Sequence, residues 1–210
     1  MRSSIAPRSR VHRGTAADRR VNGFLDRLTV TPMPPGPQPG GFDCGEPELN
    51  DYLCDGTAQR DESANLARTY LIHDGESLVG YFSVLSDAIQ LAGKERAGAP
   101  YSSAPAIKLG RMGRHKKYKG QNLGTWILDW VVGLARSLSK QVGIRYVTLD
   151  ALNESLVKWY ATYGFVRNHG EEERRKIIRF HFRKTPTEEA LPNVSMRFDI
   201  LLQEEVPAEP

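Results

Sequence analysis

A strand-like run that turns through glycines straight into a helical stripe restricts this chain more than any other feature. From Thr125 onward Ile127, Val131, Leu134 and Leu138 recur at the three-and-four spacing of one helix face, out to about Gly143. Directly before them "AIKLGRMGRH", Ala106 to His115, reads as a strand weakened by Gly110 and Gly113, which predicts a bulge or a close backbone approach by another group. The joint between the two is "RHKKYKGQNLGTW", Arg114 to Trp126, with four cations in its first six residues. A strand passing so abruptly into a helix leaves the first helical N–H groups unpaired, at the end where the macrodipole is positive, and such an end suits phosphate. Gly120 and Gly124 let the backbone curl, and Asn122 is the non-glycine type most at ease in the left-handed conformation. Lys116, Lys117 and Lys119 add mobile positive charge, so a phosphate-bearing ligand is expected; a solvated lysine turn ahead of an ordinary helix stays open as the alternative. The joint has no Gly-Lys-Ser/Thr and no G-x-G-x-x-G, which excludes a Walker loop and leaves a dinucleotide site without support.

Around that joint the periodicity switches repeatedly. "FDCGEPELNDYL" has Pro47 where a first helical turn tolerates it, with Leu49, Tyr52 and Leu53 on one face, and predicts a helix from about Glu46 to Ala58. "ARTYLIHD" and "LVGYFSVLSDAI" flank the turn at Asp74 and Gly75 as an antiparallel hairpin. "IRYVTLDA" is a strand, "NESLVKWYATYG" a helix closed by Gly164, and "SMRFDILL" a last strand. Alternating strands and helices give an α/β (α+β) class with a mixed sheet.

At 210 residues the chain has room for a single domain, 23–205, with appendages. Residues 1–22 read as a disordered basic arm, since Met1 to Arg20 holds six arginines against one acid, Asp18. "TPMPPGPQPGG", Thr31 to Gly41, is a loop because its prolines lack donors, 168–193 is an insertion before the last strand, and 206–210 is a frayed tail. The net charge of +4 favours an anionic partner, although 25 acids keep the surface mixed. Cys44 and Cys54 lack metal-site spacing, so no metal is expected and both thiols read as structural. No apolar run nears the roughly 20 residues of a membrane span and no signal-peptide core is present, which points to the cytoplasm.

The joint resembles the pyrophosphate loop of the GNAT acyl-CoA N-acetyltransferases: Arg or Gln, two free positions, Gly, one free position, then Gly or Ala. The matching residues are Lys119, Gly120, Gln121, Asn122, Leu123 and Gly124, with Lys119 in place of Arg or Gln and Asn122 in place of Gly. "LDALNESLVKWYATYGF", Leu149 to Phe165, is similar to the second half of the family's signature: a strand, an Asn just beyond it, and a helix with an aromatic-Tyr pair ending in Gly-Phe. The resemblance spans Phe42 to Leu202. It implies a splayed central sheet flanked by helices, acetyl-CoA as donor substrate, and direct transfer to a primary amine. It places the pantetheine arm along Met112, Gly113 and Arg114, the pyrophosphate on Lys119 to Thr125, and Asn153 against the cofactor arm. It makes Tyr160 the general acid to the departing thiolate, a role that suits a phenol of reference pKa about 10 facing a thiol of about 8.5. Trp159 reads as packing, and Tyr163 is divided between packing and function.

The general base is not legible; His73, His115, Asp87 and Glu154 are candidates by type and none is assigned. An α-amino group, with a pKa near 8, is neutral in roughly one molecule in ten at neutral pH, whereas a lysine amine is neutral in fewer than about one in a thousand, which favours an α-amino acceptor. "FDCGEPELNDYL" resembles the first helix of the GNAT branch that contains acetyltransferase toxins of toxin-antitoxin pairs, which act on aminoacyl-tRNA and have antitoxin partners. The arginine-rich arm, the lysine-rich turn and "RRKIIRFHFRK", Arg174 to Lys184, agree with an RNA acceptor. Protein, peptide and small-amine acceptors remain open, as do a non-catalytic acyl-CoA-binding protein of the same fold and a homodimer.

Overall fold

The computed structural model describes residues 23–36, 40–91, 93–169 and 193–202. The basic arm, the 206–210 tail and most of the 168–193 insertion, including Arg174 to Lys184, lie outside the described residues. Hydrogen-bonded strand neighbours run β1 (Leu28–Pro32), β2 (Arg68–Asp74), β3 (Ser77–Gln90), β4 (Ser103–Arg114), β5 (Tyr146–Ala151), β7 (Val194–Asp199) and β6 (Val166–Arg167). The chain divides into two compact units, one from Met1–Leu85 and Leu109–Ser137, the other from Ser86–Lys108 and Leu138–Pro210. Strands β3 (Ser77–Gln90) and β4 (Ser103–Arg114) each contribute to both. This is the mixed α+β sheet fold expected from the alternation of periods.

In the first unit, β1 (Leu28–Pro32) pairs antiparallel with β2 (Arg68–Asp74), which pairs antiparallel with β3. β1 draws Thr31 and Pro32 out of the expected loop. It is the outermost strand, where a proline's missing donor costs no ladder bond. The predicted helix over 46–58 is two helices, α1 (Pro47–Cys54) and α2 (Thr57–Ser63). Gly56, at φ 87, breaks them, and the Asp55 carboxylate accepts from the Thr57 N–H at 2.7 Å to start the second.

Both faces of the β2–β3 hairpin are covered. Leu71 and its partner Tyr81 pack with Met33, Phe42, Tyr52, Leu53 and Ala58. On the other parity Tyr70 lies opposite Phe82, their rings 5.2 Å apart, and both meet Trp130 of α4 (Leu123–Leu138) at 4.9 Å. The stripe that α4 buries is wider than the spacing predicts and is turned: Leu128, Val132 and Ala135 join Ile127 and Val131, whereas Leu134 and Leu138 are half-buried. The helix also stops at Leu138, short of Gly143.

The second unit contains α3 (Gly93–Ala97), β5 (Tyr146–Ala151), α5 (Glu154–Tyr163), β6 (Val166–Arg167) and β7 (Val194–Asp199). α3 and β6 are too short for periodicity to reveal. β7 pairs antiparallel with both β5 and β6, setting Leu149 opposite Met196 and Val147 opposite Phe198 in the core. Arg197 holds the unit's polar face: it donates to both oxygens of Glu95 at 2.7 Å, and its guanidinium lies 5.7 Å from the Tyr146 ring.

Candidate active site

The joint between β4 and α4 lies wholly within the first unit. His115 closes the strand by donating its backbone N–H to Val79 O at 2.9 Å, and Lys116 to Tyr118 form one 3₁₀ turn. The chain then enters the left-handed region twice, at Gly120 (φ 83) and Asn122 (φ 55). Asn122 thus adopts the conformation for which its residue type was singled out. Its carbonyl accepts the first helical bond from Trp126 N–H, so Leu123, Gly124 and Thr125 begin α4 with N–H groups that have no carbonyl within the helix. Two left-handed residues just before such a helix start form a concave nest of N–H donors, which fits a pyrophosphate. Leu123 can contribute its backbone alone, because its side chain is buried in the core.

The lysines differ in their freedom. Lys116 is engaged: its Nζ pairs with the Asp43 carboxylate and its backbone N–H donates to Asp43 O at 2.8 Å. Lys116 and the Gly45 N–H hold the Asp43 carboxyl below the usual carboxylate range. Lys117 and Lys119 are exposed. Tyr118 is stacked on Phe24, the rings 5.6 Å apart and 14° from parallel, which pins the middle of the turn.

The glycines of β4 make room for protein rather than for a ligand's backbone. A Cβ at Gly113 would lie 2.5 Å from a Tyr81 ring carbon, and one at Gly110 would lie 2.7 Å from Leu85 Cδ2. Tyr81, Ser83 and Leu85 alternate onto one face of β3, yet Gly110 and Gly113, three apart, both approach it. Of the two expectations, a bulge or a close approach by another group, the contacts show the second, and the group is protein. Met112 and Arg114, either side of Gly113, are half-buried.

Asn153 and Tyr160 belong to the second unit, on α5. Asn153 caps the helix, its side-chain oxygen accepting from the Leu156 N–H at 2.9 Å. Its carbonyl oxygen is therefore committed to the helix, a local task that the expectation of cofactor contact did not include. Gly164, at φ 112, closes α5 by donating to Ala161 O, and Phe165 N–H donates to Tyr160 O. Tyr160 is 6% exposed, and burial alone pushes its phenol up to about 12. Trp159 lies against it at 4.7 Å, while Tyr163, half-buried, packs on Phe165 and Phe198.

The candidate bases have structural engagements. Asp87 accepts from Thr148 Oγ1 at 2.6 Å, Glu154 from Arg167 at 2.7 Å, and His115 Nδ1 from the Lys117 N–H at 3.2 Å. Burial lowers the pKa of His73, which sits within β2. Cys44 and Cys54 are free thiols packed on the Phe42 and Tyr81 cluster, and burial pushes both up, away from nucleophilic use. Among the described residues no group of three His, Cys, Asp or Glu is placed to hold a metal, and no helix is long and apolar enough to cross a membrane. Arg111, one residue before the proposed pantetheine segment, escaped the sequence reading because no motif includes it.

A strand that ends in a left-handed turn onto a long buried helix, followed by a strand and a glycine-closed helix bearing a buried tyrosine, has the fold of the GNAT acetyltransferases. Within that fold the chain is similar to acetyltransferase toxins of toxin-antitoxin pairs. It is 26% identical over 127 residues to the tRNA-acetylating toxin of Mycobacterium tuberculosis, covering 59% of this chain and 75% of that protein. A tyrosine-to-phenylalanine mutant of KacT superposes with a TM-score of 0.64 at 24% identity over 83% of this chain and 95% of that one. AtaT complexed with acetyl-methionyl-tRNAfMet superposes with a TM-score of 0.63 at 22% identity over 82% and 94%. A tyrosine-to-phenylalanine mutant of AtaT has also been solved bound to the C-terminus of the antitoxin AtaR, and AtaTR with acetyl-CoA. No protein-family profile matches the chain.

Proposed function

We propose that this chain is an acetyl-CoA-dependent N-acetyltransferase that moves the acetyl group directly onto the α-amino group of an aminoacyl-tRNA, as a toxin with a cognate antitoxin. The observation that carries the reading is the double left-handed turn at Gly120 and Asn122, which presents the first N–H groups of α4. On this reading the backbone of Met112 to Arg114 would hold the pantetheine arm and Lys119 to Thr125 the pyrophosphate, and the resemblance also assigns Asn153 to the arm, with its amide nitrogen not spent on the cap. Likeness to a tRNA-acetylating toxin, and to AtaT captured with an acetylated aminoacyl-tRNA, supports the acceptor. Such an acceptor places the protein in the cytoplasm.

The chemistry follows from the phenol. The neutral amine attacks the thioester carbonyl, a C–N bond forms, and the C–S bond breaks. The thiolate leaves with the proton of Tyr160, while the amine's surplus proton passes to solvent and restores the phenol. A phenol near 12 is fully protonated at neutral pH but is a weaker acid than the thiol it creates. Against a reference thiol of about 8.5 the transfer is uphill by roughly 5 kcal/mol, unless the same apolar surroundings also raise the thiolate's proton affinity. Burial does both where phenol and thiolate share one dry site. AtaT and KacT have each been solved as tyrosine-to-phenylalanine mutants, which agrees with a tyrosine of consequence in these toxins.

The test is transfer of labelled acetyl from acetyl-CoA into a cell extract by wild type and Tyr160→Phe, followed by ribonuclease or protease. Label removed by ribonuclease supports the reading. Label removed by protease indicates a protein acceptor, label surviving both a small amine, and binding without transfer a non-catalytic protein.

A further inference from the structure

Arg111 stands apart from the other described arginines. Those that carry structure are tied to carboxylates, as Arg27 is to Asp74, Arg145 to Asp199 and Arg197 to Glu95. Among the described arginines Arg111 alone has an aromatic ring as its partner and neither a hydrogen bond nor a carboxylate: its guanidinium lies 4.8 Å from the centre of Tyr52. It is also exposed, on β4, one residue before Met112.

The floor beneath it is rigid. Tyr52 is 5% exposed and stacked on Tyr81, the rings 6.1 Å apart and 20° from parallel. The Tyr81 hydroxyl in turn donates to Leu49 O at 2.6 Å. A guanidinium held over a buried ring keeps its fork of N–H donors unspent. That fork matches two oxygens of a phosphate. With no carboxylate drawing on it, that fork is available to an anionic substrate group.

Resting on the proposed function, we propose that Arg111 binds a phosphodiester of the acceptor RNA and so positions the aminoacyl end. The donor's pyrophosphate is assigned to the N–H groups of residues 123–125, which leaves Arg111 for the acceptor, and the acetyl-CoA affinity of the variants separates this from a contact to the donor's remaining phosphate.

The test uses the full chain, wild type, Arg111→Gln and Arg111→Lys, with three probes: bulk aminoacylated tRNA, an aminoacyl-adenosine that carries no phosphate, and acetyl-CoA alone. Arg111→Gln is expected to raise KM for aminoacyl-tRNA about tenfold or more with kcat within about twofold, and to lower the salt slope of tRNA binding by about one. Its rate with aminoacyl-adenosine and its acetyl-CoA affinity should stay at the wild-type values. Arg111→Lys should recover part of the tRNA affinity, because it restores the charge without the planar fork. Equal losses on tRNA and aminoacyl-adenosine, weaker acetyl-CoA binding, or no change on tRNA would each overturn the assignment. A wild type inert towards aminoacyl-tRNA would remove the acceptor reading itself, a result visible before any variant is compared.

Discussion

The backbone N–H of Phe165 donates to the carbonyl oxygen of Tyr160 at 3.1 Å while their rings sit 5.7 Å apart. The bond wraps the last turn of α5, and the ring contact seals it, so the tyrosine is fixed from both its backbone and its side chain. On the proposed mechanism, Tyr160→Phe should lower kcat by about a hundredfold or more, the usual contribution of a general acid, with acetyl-CoA affinity nearly unchanged. Turnover within about twofold of wild type, in steady-state kinetics, would remove the acid assignment.

The alkaline behaviour of Tyr160 carries a definite sign. Its folded value, about 12, lies above the reference value near 10, so the native state keeps this proton longer than the unfolded chain does. Activity should rise with deprotonation of an α-amino acceptor, near pH 8, and show no loss from Tyr160 below about pH 11. Stability contributed by the buried phenol is complete below about pH 10 and declines as pH rises towards 12. A kcat profile that turns down by pH 9 would mean that another acid governs the rate.

Gly164 is the hinge of that arrangement, at φ 112. Gly164→Ala places a Cβ in the left-handed region and should cost about 1 to 2 kcal/mol in denaturant unfolding. Its kcat should fall as well, because the turn that fixes Tyr160 loosens.

Asn122, at φ 55, offers a test of the phosphate turn. Asn122→Gly should bind acetyl-CoA at least as tightly as wild type, while Asn122→Val, β-branched and strained there, should raise its Kd by about tenfold. Equal affinities by calorimetry would show that the nest is not the pyrophosphate site.

In β4, Gly113→Ala would bring a methyl carbon within 2.5 Å of the Tyr81 ring and 3.3 Å of Phe42. Both neighbours are buried, so overpacking should destabilise the protein by about 1 to 3 kcal/mol in denaturant unfolding.

The sequence carried the local chemistry further than it carried the packing. Asn122 and Gly164 were legible because a left-handed position restricts residue type through sterics alone. At Gly113 the close approach was legible but its partner was not: the missing side chain answers to Tyr81, a residue 32 positions earlier that no local pattern connects to it. The break at Gly56 was passed over because one glycine in an apolar periodic stretch costs little until its φ is known. Lys116 looked like a mobile cation because its partner Asp43 is distant in sequence. Leu128, Val132 and Ala135 were missed on α4 because a helix covered on a broad front buries more than one seam.

Asp43 touches Lys116 twice, through its backbone oxygen and its carboxylate, and it stands four residues ahead of α1. The turn proposed to hold the donor and the segment leading into α1 are therefore tied by two contacts. On the proposed function, an acceptor that shifts α1 and breaks those contacts would alter the affinity for acetyl-CoA. Acetyl-CoA, by thermodynamic reciprocity, must alter the affinity for that acceptor by the same factor.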